Sequence, residues 1–386
     1  LARRPDASAV AYNPAQITRL PGGRFLGGLT TVTPAGDITY TDSQGRHGDS
    51  SLKPATWLAP HLYYTQQISD SLFLGIGEFT RYGLGFEYPH NWAGRFNVYE
   101  VSLLSASLSP TIAWAVTDDL SLAAGLEVVY INMDIKKRVL GEGTAPVPYS
   151  FEVDTSITKA TDYGLGFNLA GHYRLDDNWA VGLLYRSQVQ IKAYGDTEFS
   201  FMNYQGPEAL KPAVQAGYDA RFRDGEAHAT VLLPDSVSGG VAWTPCPELS
   251  LEAGFVWTRW STFRALNIHL PHGLPTSNNP KHWKDAWRLN VGLEYSPLDW
   301  LTLRAGYVFD QSPMTEGYED YLVPTDDRDI YSLGVGFAWD SWSVDLAYAY
   351  VDARDRYYRA NADTHTLKSR TNGNTQLFSF SLGYSF

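Results

Sequence analysis

The sequence predicts an all-β fold, a 14-stranded antiparallel transmembrane β-barrel. Fourteen stretches alternate large apolar residues with small or polar ones, as strands between lipid and a lumen do. Short polar turns and long polar loops separate these stretches in alternation, which is typical of outer-membrane barrels. Mean hydropathy is only -0.26, and the chain lacks the run of about 18 apolar residues that an ordinary membrane-spanning helix needs.

Composition narrows the possible functions. The 386 residues carry a formal net charge of -12, which argues against a nucleic-acid partner because such partners attract basic proteins. Aromatic residues make up 14% of the chain, and Tyr and Trp favour both strands and membrane–water interfaces. Cys246 is the single cysteine, so an internal disulfide and a metal site built from several cysteines are excluded.

Fourteen predicted strands follow one another through the chain, and the number is even, as single-chain bacterial barrels require. Short turns join them in pairs and are rich in Asp, Asn, Pro and Ser, which favour tight turns. The predicted strands are 24–35, 54–66, 71–82, 98–115, 120–136, 160–175, 179–193, 227–243, 249–266, 284–296, 300–310, 329–339, 342–352 and 376–386. The longer polar stretches, expected to be loops at the other end of the barrel, are 83–96, 137–158, 199–225, 269–283, 312–328 and 354–374.

The two faces of each strand favour a membrane barrel over a soluble sandwich. In the last strand, Phe378, Phe380 and Leu382 share one face, whereas Ser379 and Ser381 share the other. Small residues are unusual on a solvated surface, but they suit a lumen that is filled or wet. Because lipid does not tolerate an unpaired strand edge, we expect this strand to pair with the first strand and close the barrel.

One long loop contains a candidate helix. In the stretch 206–220, Leu210, Ala213, Val214 and Tyr218 recur at near-helical spacing. Two interpretations remain open at this point: a short helix beside an outer groove, or an ordinary surface helix.

The wall around the third strand is predicted to be weak. Gly75 and Gly77 lie inside this strand, where glycine marks a bulge or a close approach. Pro60 and Pro110 lie in the second and fourth strands, where proline cannot donate to the ladder. These residues either open a gap in the wall or only curve the barrel.

Several motifs, in order along the chain, resemble the FadL-type family of outer-membrane long-chain fatty-acid transporters. The segment "DASAVAYNPAQIT" (6–18) is similar to the family's hatch, with its Asn-Pro-Ala at Asn13, Pro14 and Ala15. The other similar motifs are "LFLGIGEFTRYGLGFEY" (72–88), "YRSQVQI" (185–191), "WSTFRAL" (260–266), "KDAWRLNVGLEY" (284–295) and "LRAGYVFDQSPM" (303–314). The resemblance implies a remnant of the N-terminal hatch at 1–22 and a barrel at 23–386.

The chain also departs from this family in two places. Most of the hatch that precedes the Asn-Pro-Ala segment is missing, and the stretch 137–158 is shorter than the family's third extracellular loop. Since that loop helps to build an outer capture groove in the family, the shorter stretch affects the expected capture step and not the barrel.

The resemblance implies passive uptake of long-chain fatty acids or similar hydrophobic compounds across the bacterial outer membrane. The ligand would leave sideways through a gap at a kink of the third strand, which we expect near Phe79, Thr80 and Arg81. The expected surroundings are outer-membrane lipid, lipopolysaccharide and the barrel-assembly machinery, whose insertion signal the terminal Phe386 resembles. The resemblance further implies a monomer without a cofactor.

Three cations are candidate ligands for an acidic headgroup. Lys137, Lys284 and Arg288 have the parity of the lumen face, and the two lysines align with positions where the resembled family uses cations. An ammonium in a pocket of low dielectric attracts a carboxylate strongly. Alternatively, the lysines lie in water at loop ends or pair with acids, and Arg288 belongs to a network of charges that fills the lumen.

Other classes of function fit less well. A channel for monoaromatic hydrocarbons is the main alternative, followed by a general porin or a lipid enzyme. No spacing of Ser, His and Asp indicates a catalytic triad, so we expect no enzyme. His269 and His272 could form a metal pair, but the set of ligands is incomplete, so we expect no metal site.

Overall fold

In the computed structural model, the chain forms one closed ring of β-strands. The structure describes residues 1–3, 5–42, 44–144 and 147–386. Its strands are β1 (Gly23–Thr41), β2 (His47–Ser51), β3 (Trp57–Gln67), β4 (Leu72–Phe79), β5 (Gly83–Glu87), β6 (Glu100–Ala115), β7 (Leu120–Gly143), β8 (Tyr149–Arg174), β9 (Trp179–Arg186), β10 (Val189–Gln205), β11 (Gly225–Leu233), β12 (Ser236–Cys246), β13 (Leu249–Thr258), β14 (Ala265–His269), β15 (Ser277–Pro280), β16 (Ala286–Leu298), β17 (Leu301–Asp310), β18 (Arg328–Trp339), β19 (Trp342–Tyr358) and β20 (Lys368–Ser385).

The helices are short and few in the described part of the chain. They are α1 (Ala9–Tyr12), α2 (Lys211–Arg221) and the 3-10 helices Pro14–Arg19, Glu208–Leu210, Trp260–Thr262 and Pro271–Gly273. None of these helices has the length and apolar character needed to cross a membrane. The helix predicted within 206–220 is confirmed as α2.

These segments occupy fourteen positions around the ring, which confirms the predicted number. Four positions are shared by two consecutive segments, namely β4 with β5, β9 with β10, β11 with β12, and β13 with β14. The segments β2 and β15 extend the loops at the rim. The ring closes where β1 pairs with β20, from Arg24 opposite Ser385 to Thr41 opposite Lys368.

The two faces of the wall differ as the alternation predicts. Outward side chains are large and apolar, and Leu165, Leu126 and Leu333 are 77%, 65% and 65% exposed. Inward side chains at the same height are small, and Ser107 and Ser109 are fully buried. An outer surface of this kind is stable only against an apolar environment.

The prediction of a long loop at 137–158 is wrong for most of that stretch. The strands β7 and β8 stay paired as far as Gly143 opposite Tyr149, and residues 145–146 lie outside the described residues. β10 runs on to Gln205 and pairs with the outer part of β8. Polar residues on both faces suit a strand that extends beyond the apolar belt, and this is why the stretch resembled a loop.

We call residues 1–22 the N-terminal segment. Its described residues, 1–3 and 5–22, lie inside the ring at the end of the short turns. The side chains of Val10, Ala15 and Ile17 are fully buried there. Asn13 caps the 3-10 helix because its side-chain oxygen accepts from the Ala15 N–H at 3.2 Å. Its Nδ2 donates to the carbonyl oxygen of Gly171 in β8 at 3.1 Å.

Candidate functional site

The wall is interrupted between the second and third strands of the ring. β3 pairs with β4 only from Gln67 opposite Phe73 to Leu62 opposite Glu78. The rest of β3, residues 57–61, pairs with β1 alone, and β5 pairs with β6 alone. We call the opening between residues 57–61 and residues 80–87 the β3–β5 window.

The window originates in a bulge of the third strand. Phe79 lies opposite Ser107, and Gly83 lies opposite Leu104, so three residues of one strand face two of the other. An extra residue of this kind bends the strand that carries it. Beyond the window, the Lys53 N–H donates to the Glu87 carbonyl oxygen at 2.7 Å and restores contact with the third strand.

A single tryptophan shows that β5 has moved inward. Trp57 has the inward parity of β3, and Gly85 pairs with Ser102 on the outward parity of β5. Nevertheless the Trp57 ring lies on Gly85, where an added Cβ would approach its Cε2 to 2.3 Å. An inner side chain of β3 reaches an outer face of β5 only if β5 is set closer to the barrel axis. The indole Nε1 is buried without a hydrogen-bond partner among the described residues.

Three residues that we expected at the gap do lie at the window. Two are on its third-strand side, and one is on the facing part of β3. Phe79 ends β4 and is buried, and Thr80 follows it in the break and is exposed. Pro60 lies on the half of β3 that has no partner on this side. Pro110 instead pairs with Ile76 inside the continuous ladder of β4 and β6, so the structure does not bring it to the window.

Gly75 and Gly77 also lie outside the window, contrary to the prediction of a gap at these glycines. Both are in the paired part of β4. A Cβ at Gly75 would lie 2.8 Å from Val10 Cγ2, and one at Gly77 would lie 3.0 Å from Val10 Cγ1 and 2.8 Å from Tyr63 Cδ1. The glycines therefore allow the N-terminal segment to approach the wall closely.

Above the N-terminal segment, the interior of the barrel is apolar. We call this buried group the apolar cluster; its side chains come mainly from β7, β10, β11 and β14. Leu84 of β5 and Tyr82 in the break pack against it, so the cluster reaches the window. Its members on those four strands are Val129, Ile131, Met133, Ile135, Val189, Ile191, Ala193, Ala227, Ala229, Val231, Leu233, Leu266 and Ile268.

Aromatic side chains from the loops cover the outer end of this cluster. Ring centroids are 4.5 Å apart for Tyr88 and Trp92, 5.0 Å for Trp92 and Tyr321, and 5.1 Å for Tyr321 and Tyr358. The Tyr321 hydroxyl lies 2.7 Å from Ser369 Oγ. Burial raises the pKa of Tyr321 to about 12, so this hydroxyl keeps its proton at every physiological pH.

A buried group of charges lies at the inner end of the apolar cluster. Glu127, which is 1% exposed, accepts from Arg81 Nη1 and from Arg186 Nη1, both at 2.8 Å. Arg186 also donates to the carbonyl oxygen of Ala11 in the N-terminal segment. We call these three residues the charged trio. Its two guanidinium groups share one buried carboxylate, so the charge of Glu127 is compensated from two sides.

The three predicted headgroup cations lie apart. Lys137 is half-buried near the outer end of β7, and its Nζ donates to Ser277 Oγ at 3.0 Å. Lys284 is exposed just before β16, with no partner for its ammonium among the described residues. Arg288 donates to Asp310 Oδ2 at 3.1 Å, and Arg328 binds the same carboxylate, which fits the alternative of a charge network.

Sequence reasoning missed a buried lysine near these residues. Lys281 is 2% exposed and forms an ion pair with Asp320. Asn279 Nδ2 donates to the same carboxylate at 2.6 Å. Lys281 lies three residues before Lys284 in a stretch without strand periodicity, so no pattern in the sequence distinguished the buried lysine from the exposed one.

Possible metal ligands in the described residues are weak candidates. Glu87, His90 and Glu100 lie close together, but Lys53 and Lys136 already bind the two carboxylates. His269 and His272, which the sequence offered only as an incomplete metal pair, have separate partners. His269 stacks on His228 with centroids 4.8 Å apart, and His272 Nε2 lies 2.9 Å from the carbonyl oxygen of Asp224.

Comparisons with known proteins agree with this geometry. The family model described as "Outer membrane protein transport protein (OMPP1/FadL/TodX)" matches residues 2–386. The long-chain fatty acid transport protein of Salmonella typhi is 26% identical, over 99% of this chain and 88% of the relative. Outer membrane protein P1 of Haemophilus influenzae is also 26% identical, over 99% of this chain and 90% of the relative.

Solved structures share the fold. A FadL homologue of Pseudomonas aeruginosa matches with a TM-score of 0.84 and 23% identity, over 99% of this chain and 94% of the other. The toluene transporter TbuX of Ralstonia pickettii matches with a TM-score of 0.72 and 16% identity, over 100% of this chain and 95% of the other.

Proposed function

Because the chain belongs to the family of outer membrane transport proteins (OMPP1/FadL/TodX), we propose that it takes up long-chain fatty acids or similar hydrophobic compounds, which leave the barrel through the β3–β5 window. The protein is an outer-membrane β-barrel and a transport protein, not an enzyme. One observation carries the sideways exit: the apolar cluster extends to the window, whereas the charged trio and the N-terminal segment lie directly beneath the cluster.

The route follows from the cost of moving an apolar chain past charges. A ligand that continued down the barrel axis would have to displace the buried ion pairs of Glu127, and disrupting a buried pair costs about 3–5 kcal/mol. A ligand that turns toward Tyr82 and Leu84 stays in apolar surroundings and enters the hydrocarbon of the membrane. Sideways exit is therefore the path of lower free energy.

The N-terminal segment acts in this proposal as a hatch that keeps the barrel closed to water. Support comes from the hydrogen bonds that fix its Asn13-Pro14-Ala15 turn between the wall and its own chain. The Asn13 Nδ2 donates to the carbonyl oxygens of Leu1 and Gly171, at 2.8 and 3.1 Å. The Glu252 carboxylate accepts from the backbone nitrogens of the first three residues.

We assign the acidic headgroup to Lys137 rather than to Lys284. Lys137 is half-buried at the outer end of the barrel interior and binds only a hydroxyl among the described residues, so its charge is available to a carboxylate. Lys284 is exposed, and an exposed lysine contributes little because water screens it. Arg288 shares Asp310 with Arg328, and its proposed role is to hold the lumen network together.

The remaining expected partners also stay part of the proposal. The outward apolar belt supports contact with outer-membrane lipid, and the extended strands β7, β8 and β10 support contact with lipopolysaccharide. We also propose that the barrel-assembly machinery inserts the protein and that the protein is a monomer.

Uptake of monoaromatic hydrocarbons is a second candidate. It is supported by the apolar cluster, which would accept an aromatic ring as readily as an alkyl chain, and by the fold shared with the toluene transporter. Comparing the uptake of oleate and toluene by cells that depend on this protein separates the two candidates.

Filling the window tests the exit route. Thr80→Trp places a large ring in the break, and we expect uptake of the transported compound to fall about tenfold while the folded barrel remains, since Thr80 is exposed and unpaired. Ala124→Trp, on the outward face of continuous β7, is the matched control and keeps wild-type uptake. Unchanged uptake by correctly inserted Thr80→Trp would exclude the window as the exit.

A further inference from the structure

A carboxyl group lies on the outer face of the wall at the edge of the window. Glu78 pairs with Leu62 of β3 and with Leu108 of β6. These leucines are 48% and 44% exposed on the outward side, and Ile76 on the same face of β4 is 41% exposed. Glu78 thus belongs to the apolar belt that faces lipid.

Glu78 also lies at the end of the ladder between β3 and β4. The pair of Glu78 and Leu62 is the last between β3 and β4 before the window opens. No hydrogen bond or ion pair to the Glu78 carboxyl occurs in the described part of the chain, residues 1–3, 5–42, 44–144 and 147–386. A polar group without a partner is costly in hydrocarbon, and such a group marks a function more often than a structural need.

The surroundings determine the form in which this carboxyl exists. Charge is far more costly in hydrocarbon than a neutral polar group, so an unpaired carboxyl that faces lipid is favoured in its neutral form. A neutral carboxyl presents one O–H donor and one carbonyl acceptor side by side. A transported acid that takes a proton from water before it enters the hydrocarbon presents the same two groups. The two neutral carboxyl groups can then join through a pair of hydrogen bonds.

We propose that Glu78 is a docking site for the carboxyl group of the transported acid as it crosses the window into the membrane. This inference rests on the proposed sideways exit. The headgroup of an acid loses its hydrogen bonds when it leaves the interior of the barrel, and Glu78 replaces them at the edge of the lipid. A ligand without a carboxyl group gains little from this contact, so Glu78 determines specificity for acids.

Three variants test this role with a pair of probes, a long-chain acid and the alcohol of the same chain length. In Glu78→Leu, we expect the ratio of acid uptake to alcohol uptake to fall about fivefold to tenfold, as two lost hydrogen bonds predict. Glu78→Gln keeps a donor and an acceptor and should restore the ratio to near its wild-type value. Glu198→Leu removes an outward, exposed carboxylate of β10 far from the window and should leave the ratio unchanged.

The outcomes separate this inference from the exit route itself. An unchanged ratio in Glu78→Leu, an equal loss for both probes, or a rise in acid uptake would each overturn the docking role. If one of these occurs while Thr80→Trp still blocks uptake, the sideways exit stands and only the role of Glu78 is lost. If Thr80→Trp has no effect, the exit route fails, and the basis of this inference fails with it.

Discussion

At the scale of single residues, the positions of the cations decide what this barrel can bind. Lys137 has one described partner, a neutral hydroxyl, whereas the arginines of the lumen share carboxylates. A partly buried cation whose hydrogen-bond partner is a neutral hydroxyl offers more attraction to an anion than a cation that is ion-paired with a carboxylate.

Replacing Lys137 should therefore weaken binding of acids selectively. We expect Lys137→Met to reduce the affinity for a long-chain fatty acid about tenfold, because one attractive charge of about 1.4 kcal/mol is removed, and to leave the affinity for toluene unchanged. Lys284→Met is the matched control and should bind both ligands as the wild type does. Titration of the detergent-solubilised protein gives both affinities, and an equal effect of the two substitutions would contradict the assignment.

At the scale of strands, the window depends on one tryptophan that bridges two segments without pairing them. The backbone ladder is absent between residues 57–61 and β5, and the Trp57 ring on Gly85 occupies the outer part of that space. The side chain therefore sets the size of the window while the backbone sets its position.

Shortening this side chain should widen the exit. We expect Trp57→Ala to raise the uptake of bulky ligands severalfold relative to slender ones, because the ring no longer occupies the space over Gly85. Its stability should fall by no more than about 3–5 kcal/mol, the upper range for truncating a large buried side chain. Competition uptake with ligands of increasing width measures this effect, and an unchanged width preference would show that Trp57 does not line the path.

At the scale of the whole molecule, the barrel and the N-terminal segment fit together through the glycines of β4. Val10 lies against both Gly75 and Gly77, so β4 presents no side chain at the two positions that Val10 contacts. The ring itself closes through β1 and β20 without this contact.

A side chain at Gly77 should consequently loosen the segment and spare the ring. Gly77→Val would collide with Val10 and Tyr63, at a cost of about 1–3 kcal/mol for overpacking. We expect higher ion conductance in planar bilayers together with the normal resistance of the folded barrel to detergent. Gly83→Ala is the control, because a Cβ there meets only Thr80 Cγ2 at 3.9 Å; conductance equal to wild type in Gly77→Val would contradict this account.

The sequence predicted the ring well because its periodicity is a direct consequence of the wall. Phe378 and Ser379 alternate in character because one side chain faces lipid and the other faces the lumen. Fourteen stretches of this kind also predicted that the last strand pairs with the first and closes the barrel. The third strand was harder, since glycine in a strand signals either a bulge or a close approach. Gly75 and Gly77 serve the second purpose. The bulge lies at residues 80–82, close to Phe79 and Thr80, where the family resemblance and not the strand pattern predicts the kink.

The candidate site was less predictable for a physical reason. Periodicity reports which side of the wall a residue faces, but it reports nothing about the partners that residues meet across the lumen. Lys281 and Lys284 therefore looked equivalent, and the expectation of a charge network in the lumen did not reveal that Arg81 and Arg186 bind Glu127 together. The role of Glu78 likewise depends on where the ladder between β3 and β4 ends.

The contact of Trp57 with Gly85 has a consequence for how the window opens. The two segments of the wall are held together there by packing alone, so opening requires the rotation of a side chain and not the separation of paired strands. Rotation of the Trp57 side chain breaks no backbone hydrogen bond, whereas separation of two paired strands breaks many bonds at once. The window can therefore open and close while every strand pair of the ring stays intact.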